Sequence, residues 1–130
     1  MKTKLVKINH RWGQTFKNAL EGTFWAFGTQ KNFKVHFVLA FLAIILGLYL
    51  EISFERLLIL ILAIVWGLTI EMANTAFEKT VDLITEENTF KAKIVKDVSA
   101  GMMLVLSLGL ALLGILILFP PLWQRFLNLN

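Results

Sequence analysis

Read as apolar and polar positions, the chain divides into one segment of helical periodicity followed by three long apolar runs. Leu5, Ile8, Trp12, Phe16, Ala19, Leu20, Phe24 and Phe27 recur at threes and fours, while Lys7, Arg11, Gln14, Lys17, Asn18 and Glu21 fill most of the remaining arc. This spacing predicts an amphipathic helix over 4–28, lying in a membrane interface with its basic residues among headgroups. Gly28-Thr29-Gln30-Lys31-Asn32 breaks the pattern and reads as a turn or helix junction. From Phe33 to Leu50 the chain is almost wholly apolar, which predicts a first, slightly short membrane span over 33–50. His36 stands at the start of that span, where a histidine more often makes interfacial hydrogen bonds, and it is assigned no chemistry.

A tight polar connector, Glu51 to Arg56, leads into a second helix expected over 55–84, apolar from Leu57 to Ile70 and polar beyond. The next loop is Thr85-Glu86-Glu87-Asn88-Thr89, and Asn88 or Thr89 is a candidate N-cap for a third helix over 90–119. That helix starts with Lys91, Lys93, Lys96 and Asp97 and turns apolar from about Ala100. Pro120-Pro121 is expected to stop it, leaving 120–130 as a tail in which Trp123 is an interfacial aromatic.

Composition agrees with the pattern. A hydrophobic fraction of 57% over 130 residues and a mean hydropathy of +0.69 place the chain among integral membrane proteins, as one all-α domain. The absence of cysteine excludes disulfides and thiolate chemistry. A net charge of +4 would suit nucleic acid, but the basic residues flank the spans, so no nucleic-acid partner is expected. No apolar core followed by a small-residue cleavage site is seen near the N-terminus, so no signal peptide is expected. Seven Lys and Arg lie at or before Lys34 and four between Lys79 and Lys96, against Arg56 and Arg125 at the other ends. The positive-inside rule then predicts a multi-pass protein with a cytoplasmic N-terminus and an outer C-terminus.

The informative stretch runs from Ile70 to Asp82. At the helical period, with Glu71 at zero, Asn74 falls near about −60°, Glu78 near about −20°, Thr75 near about +40° and Asp82 near about +20°. These side chains share one stripe on a helix that emerges directly from a span. Charge at the end of a span is costly and marks a candidate functional site. Carboxylate and amide oxygens without His or Cys suit a hard cation, most simply Mg2+, which keeps waters and phosphate oxygens as its other ligands. Lys96, beside Asp97, supplies point positive charge of the kind that neutralises phosphate. Glu71, at membrane depth, is placed to take a proton from a hydroxyl, and a hydroxyl at that depth belongs to a lipid. No Walker or kinase glycine-rich loop is present. Ser99, Ala100 and Gly101 permit close helix approach or a lipid chain against the backbone. Three spans cannot enclose such a site alone, so an oligomer with sites shared between protomers is expected.

Glu71-x-x-Asn74-Thr75-Ala76-x-Glu78-x-x-x-Asp82, followed by Lys93-x-x-Lys96-Asp97-x-x-Ala100-Gly101, resembles the prokaryotic diacylglycerol kinase family, which includes undecaprenol kinases. Phe16-Lys17-x-Ala19-x-Glu21-Gly22 and Asn32-Phe33-Lys34-Val35-His36 are similar to the undecaprenol-kinase branch, and the likeness covers roughly residues 11 to 115. The resemblance implies a homotrimer in the bacterial inner membrane, each protomer having a surface helix and three spans. It implies phosphorylation of a lipid alcohol, undecaprenol or diacylglycerol, with ATP as co-substrate and Mg2+ as cofactor. Residue by residue, it makes Glu71 the catalytic base, Asn74 the amide of the active-site cluster and Glu78 a metal ligand contacting ATP. Lys96 and Asp97 become the nucleotide-binding pair, Arg11 a phosphate contact, and Asp82 a supporting acid.

The chain departs from the family at two of these positions. Asn18 stands where the family usually has a tyrosine near the nucleotide. Gln30 stands where it normally has a glutamate that is its other metal ligand; an amide oxygen can still coordinate, but a full negative charge is lost. A catalytically weakened homologue that binds lipid or nucleotide is therefore an alternative expectation. A small cation-transporting subunit is a further one.

Overall fold

The computed structural model describes residues 12–85, 87 and 89–128, and every regular element among them is helical. In chain order these are α1 (Trp12–Thr29), α2 (Lys31–Tyr49), α3 (Phe54–Ile84) and α4 (Phe90–Asn128). The last three are each long and apolar enough to cross a membrane. Residues 4–11 of the first expected helix lie outside the described residues.

The junction between α1 and α2 is a single residue. Gln30 takes an extended conformation (φ −93°, ψ 118°) and its N–H still bonds to Ala26 O at 2.9 Å. Lys34 Nζ donates to Gly28 O at 2.8 Å, satisfying a carbonyl at the end of α1 with a positive charge where the helix dipole favours one. Phe27 packs edge-on against Phe33 and Phe37, with ring centroids 6.3 and 5.2 Å apart, and ties the two helices together.

Between α2 and α3 the chain closes with a Schellman motif. Ile52 N–H bonds to Gly47 O at 3.2 Å and Glu51 N–H to Leu48 O at 3.1 Å. The left-handed residue of that motif is Glu51 (φ 51°), where glycine would be usual. The Ile52 side chain lies over Gly47, so close that a Cβ there would be 3.0 Å from Ile52 Cδ1.

α4 packs along α3, and α3 also packs on α2, so α3 is the central helix. Gly67 permits the close approach of α3 to α4, since a Cβ there would lie 2.9 Å from Leu110 Cδ1. Gly101, one of the small residues expected to serve close packing, has no atom within 4 Å of the place its Cβ would occupy; the tight contacts fall at Gly67 and at buried Ser99 instead. The start of α4 is capped as its sequence predicts: Thr89 Oγ1 accepts the N–H of Ala92 at 3.2 Å. Asn88, the other cap candidate, lies outside the described residues.

The expected stop at Pro120-Pro121 does not occur; α4 runs through both prolines to Asn128. Each proline lacks the N–H that would have closed a helical bond, which ordinarily interrupts a helix. Contacts beyond the prolines hold the last turns instead. Arg125 lies 4.4 Å from the Tyr49 ring centroid and donates from Nη1 to Tyr49 O at 3.3 Å. Phe119, Trp123 and Phe126 stack in sequence along the same helix face, at 6.1 and 5.9 Å. Segment 120–128 is thus helix docked on the end of α2, and not an extended tail.

Candidate functional site

The stripe deduced from helical periodicity faces inward over its first turns. Glu71 and Asn74 are 2% and 5% exposed, Thr75 is buried, Glu78 is half-buried, and Asp82 emerges into solvent. A continuous polar line therefore runs from the packed interior of the helices to their end. Burying a carboxylate and an amide requires partners, and neighbouring helices supply them.

Asn74 is held from two sides. Ser99 Oγ, on α4, donates to Asn74 Oδ1 at 2.5 Å, and Asn74 Nδ2 donates to Glu78 Oε1 at 3.2 Å. The amide suits this position because it accepts with one atom and donates with the other. The relay leaves Glu78 a second carboxylate oxygen outside that bond. Glu71 is approached from α2, where His36 Nε2 stands 4.0 Å from Glu71 Oε2.

Where the stripe reaches the helix ends, charges pair within α3 and α4 and once between them. Lys96 Nζ binds Asp82 Oδ1 at 2.8 Å, with Lys79 on the same carboxylate at 3.5 Å, and Lys93 binds Asp97 at 2.8 Å. Asp82, Lys93, Lys96 and Asp97 line an open cleft of about 700 Å3 between the end of α3 and the start of α4, together with Thr85, Thr89 and Phe90. A second, smaller hollow of about 240 Å3 lies on the other side of Glu71 along the helices. It is lined by apolar and small residues such as Ala40, Ala43, Gly67, Leu68 and Ala111, with His36 at one end.

The sequence that carries this site also matches a known family. Residues 17–118 match the model of the prokaryotic diacylglycerol kinases, which is most of the chain. The chain belongs to the prokaryotic diacylglycerol kinase family. It is 34% identical over 113 residues to an undecaprenol kinase of Bacillus subtilis, covering 87% of this chain and 92% of that one. It is 32% identical over 109 residues to a diacylglycerol kinase of Synechocystis sp., covering 83% of this chain and 62% of that longer relative. The protein is therefore a multi-pass membrane member of a lipid kinase family.

Within this diacylglycerol kinase fold, the positions singled out in the sequence divide into three groups. Glu71, Asn74 and Glu78 form one inner line. Asp82, Lys96 and Asp97 share the outer cleft, although Lys96 pairs with Asp82 and Asp97 with Lys93 rather than with each other. Asn18 and Gln30 make local contacts: Asn18 Oδ1 accepts from Gln14 at 2.8 Å, and Gln30 Nε2 donates to Thr29 Oγ1 at 3.3 Å. Arg11 lies outside the described residues. Two contributors escaped the sequence reading. In the sequence Ser99 stands out for its small size and not for its hydroxyl, and nothing assigns His36 any chemistry. No local signal marks either, because the partner of each is on another helix.

The donor set also bears on a metal. Among the described residues, no three His, Cys, Asp or Glu side chains converge on a point. That is compatible with Mg2+, which needs one or two carboxylates when phosphate oxygens and water supply the rest, and unsuited to an all-protein cage.

Proposed function

We propose that this protein is a lipid kinase that transfers the γ-phosphoryl group of MgATP to the hydroxyl of a lipid alcohol, undecaprenol in the first place and diacylglycerol as the other candidate. One observation carries the reading. Glu71 is a buried carboxylate between an apolar hollow on one side and a polar cleft bearing Lys96 on the other. The position of Glu71 on α3 between the apolar hollow and the polar cleft suits a base acting where a lipid hydroxyl meets a nucleotide phosphate.

In the transfer, the lipid hydroxyl oxygen attacks the γ-phosphorus and forms the new P–O bond. The bond from γ-phosphorus to the β–γ bridging oxygen breaks, ADP leaves, and the hydroxyl proton passes to the Glu71 carboxylate. Lys96 offsets phosphate charge in the cleft once a nucleotide competes with Asp82 for it. Asn74 holds the Glu78 carboxylate in place through its amide. Glu78, with the Gln30 amide oxygen as second donor, would hold the Mg2+ that neutralises the phosphates. Asn18 and Arg11 belong to the nucleotide side of the site.

The amphipathic α1 would lie on the cytoplasmic membrane surface, which suits its exposed Trp12, Phe16 and Phe24. The spans expose Val35, Phe41, Leu62, Val105 and many other apolar side chains, a surface for lipid and for two further copies in a homotrimer. The undecaprenol preference is supported by the similarity to the Bacillus subtilis undecaprenol kinase over nearly its whole length.

A second reading rests on Gln30, whose amide nitrogen is bonded to Thr29 and whose side chain brings no negative charge: a weakened enzyme that binds nucleotide or lipid with little turnover. One experiment separates the two. Purified protein in lipid micelles is given labelled ATP with undecaprenol or diacylglycerol, and Gln30→Glu is assayed beside it. Labelled lipid phosphate from the wild type supports the kinase and names its lipid. Product from Gln30→Glu alone supports the weakened enzyme, and product from neither rejects transfer to these lipids.

A further inference from the structure

His36 is the polar side chain on α2 that reaches the buried part of the site. Its Nε2 stands 4.0 Å from Glu71 Oε2, inside ion-pair range and longer than a hydrogen bond, with the two side chains 28% and 3% exposed. Contacts of this kind in unliganded sites are commonly loose and tighten when substrate arrives. Among the described residues this is the polar contact made by the Glu71 carboxylate. Glu78, two turns further along α3, is engaged with Asn74. His36 also forms one end of the apolar hollow, so it lies between that hollow and Glu71.

We propose that His36 is a positioning residue, whose imidazole nitrogen orients the Glu71 carboxylate toward the acceptor hydroxyl. The inference rests on the lipid-kinase reading and deepens it. A carboxylate with no partner in a packed helix interior can rotate about its last bond. A general base must present one oxygen within hydrogen-bond reach of the hydroxyl it deprotonates. The imidazole fixes one oxygen and leaves the other for the substrate. It acts through Glu71 and need not touch the phosphoryl group.

The test compares His36→Leu, which removes the ring nitrogen, with His36→Gln, whose amide returns a donor at similar reach. Turnover, lipid and ATP KM, nucleotide binding and thermal midpoint are measured for each in the same micelles. The expected result is a kcat for His36→Leu lower by roughly 10²-fold, the scale on which misplaced catalytic groups cost rate. KM values and nucleotide binding should stay near wild type, and His36→Gln should recover most of the lost kcat. Equal losses in both variants would overturn the positioning role, as would wild-type kcat in His36→Leu. If His36→Leu does not fold, His36→Asn, which draws the donor back by one methylene, must lose kcat relative to His36→Gln or the role fails. Wild type without transfer to either lipid would defeat the kinase reading itself, whereas active wild type with indifferent His36 variants would defeat this inference alone.

Discussion

Ser99 Oγ on α4 donates to Asn74 Oδ1 on α3 at 2.5 Å, with both residues buried. This bond joins the two longest helices at the level of the site and sets the amide plane that then reaches Glu78. Ser99→Ala should leave Asn74 Oδ1 buried without its donor, at a cost of about 1–3 kcal/mol, the usual penalty for such a group. Asn74→Asp should do more harm to turnover than its small change in shape suggests. It removes the donor to Glu78 and sets a negative charge between Glu71 and Glu78. Thermal unfolding in detergent and a turnover assay of both variants would check this.

Glu71→Gln should abolish phosphoryl transfer while leaving nucleotide binding largely intact. The amide keeps the shape and cannot accept the hydroxyl proton. Equilibrium binding of labelled nucleotide alongside single-turnover transfer separates the two effects, and normal turnover would remove Glu71 from the role of base.

Glu78→Ala should raise the Mg2+ concentration needed for activity or abolish nucleotide binding, and Gln30→Glu should lower that requirement. The two changes alter the charge at the proposed Mg2+ site in opposite directions. Mg2+ titrations of activity at fixed ATP would show the midpoint moving up in one variant and down in the other. An unmoved midpoint in both would separate these residues from the metal.

Lys96→Ala should weaken nucleotide binding much more than it changes stability. The Lys96–Asp82 pair is partly exposed, and pairs of that kind contribute little to folding. Because the competing interaction is ionic, nucleotide affinity of the wild type should fall as salt rises and that of Lys96→Ala should fall less. Binding isotherms at several salt concentrations provide the measurement.

Glu51→Gly should stabilise the protein by up to about 1 kcal/mol. A left-handed residue with a side chain is strained by roughly 1–2 kcal/mol, from which the greater freedom of glycine in the unfolded chain subtracts part. The substitution lies at the opposite end of the helices from the candidate site, so turnover should be unchanged. A raised thermal midpoint with wild-type activity is the expected outcome.

Much of this molecule was legible in its sequence, for identifiable reasons. The membrane spans followed from the length of apolar runs, and the Glu71–Asn74–Glu78 stripe from the helical period. The cap at Thr89 followed from a side-chain preference that operates within three residues. Each of these is a local property, settled by neighbours along the chain. The same reasoning erred at Pro120-Pro121, because a local rule for stopping helices cannot include Arg125 docking on Tyr49.

What the sequence by itself determined was therefore the all-helical membrane class, the apolar spans, and the residue types able to bind cation and phosphate. Only the tertiary structure decided which of those residues meet. It buried Glu71 beside His36, turned Ser99 from a small residue into the donor that holds Asn74, and paired Lys96 with Asp82 across two helices. The physical reason is that helical periodicity fixes the angle of a side chain around its own axis. The rotation and depth of one helix against another are set by packing, as at Gly67 against Leu110, and contacts between helices depend on both.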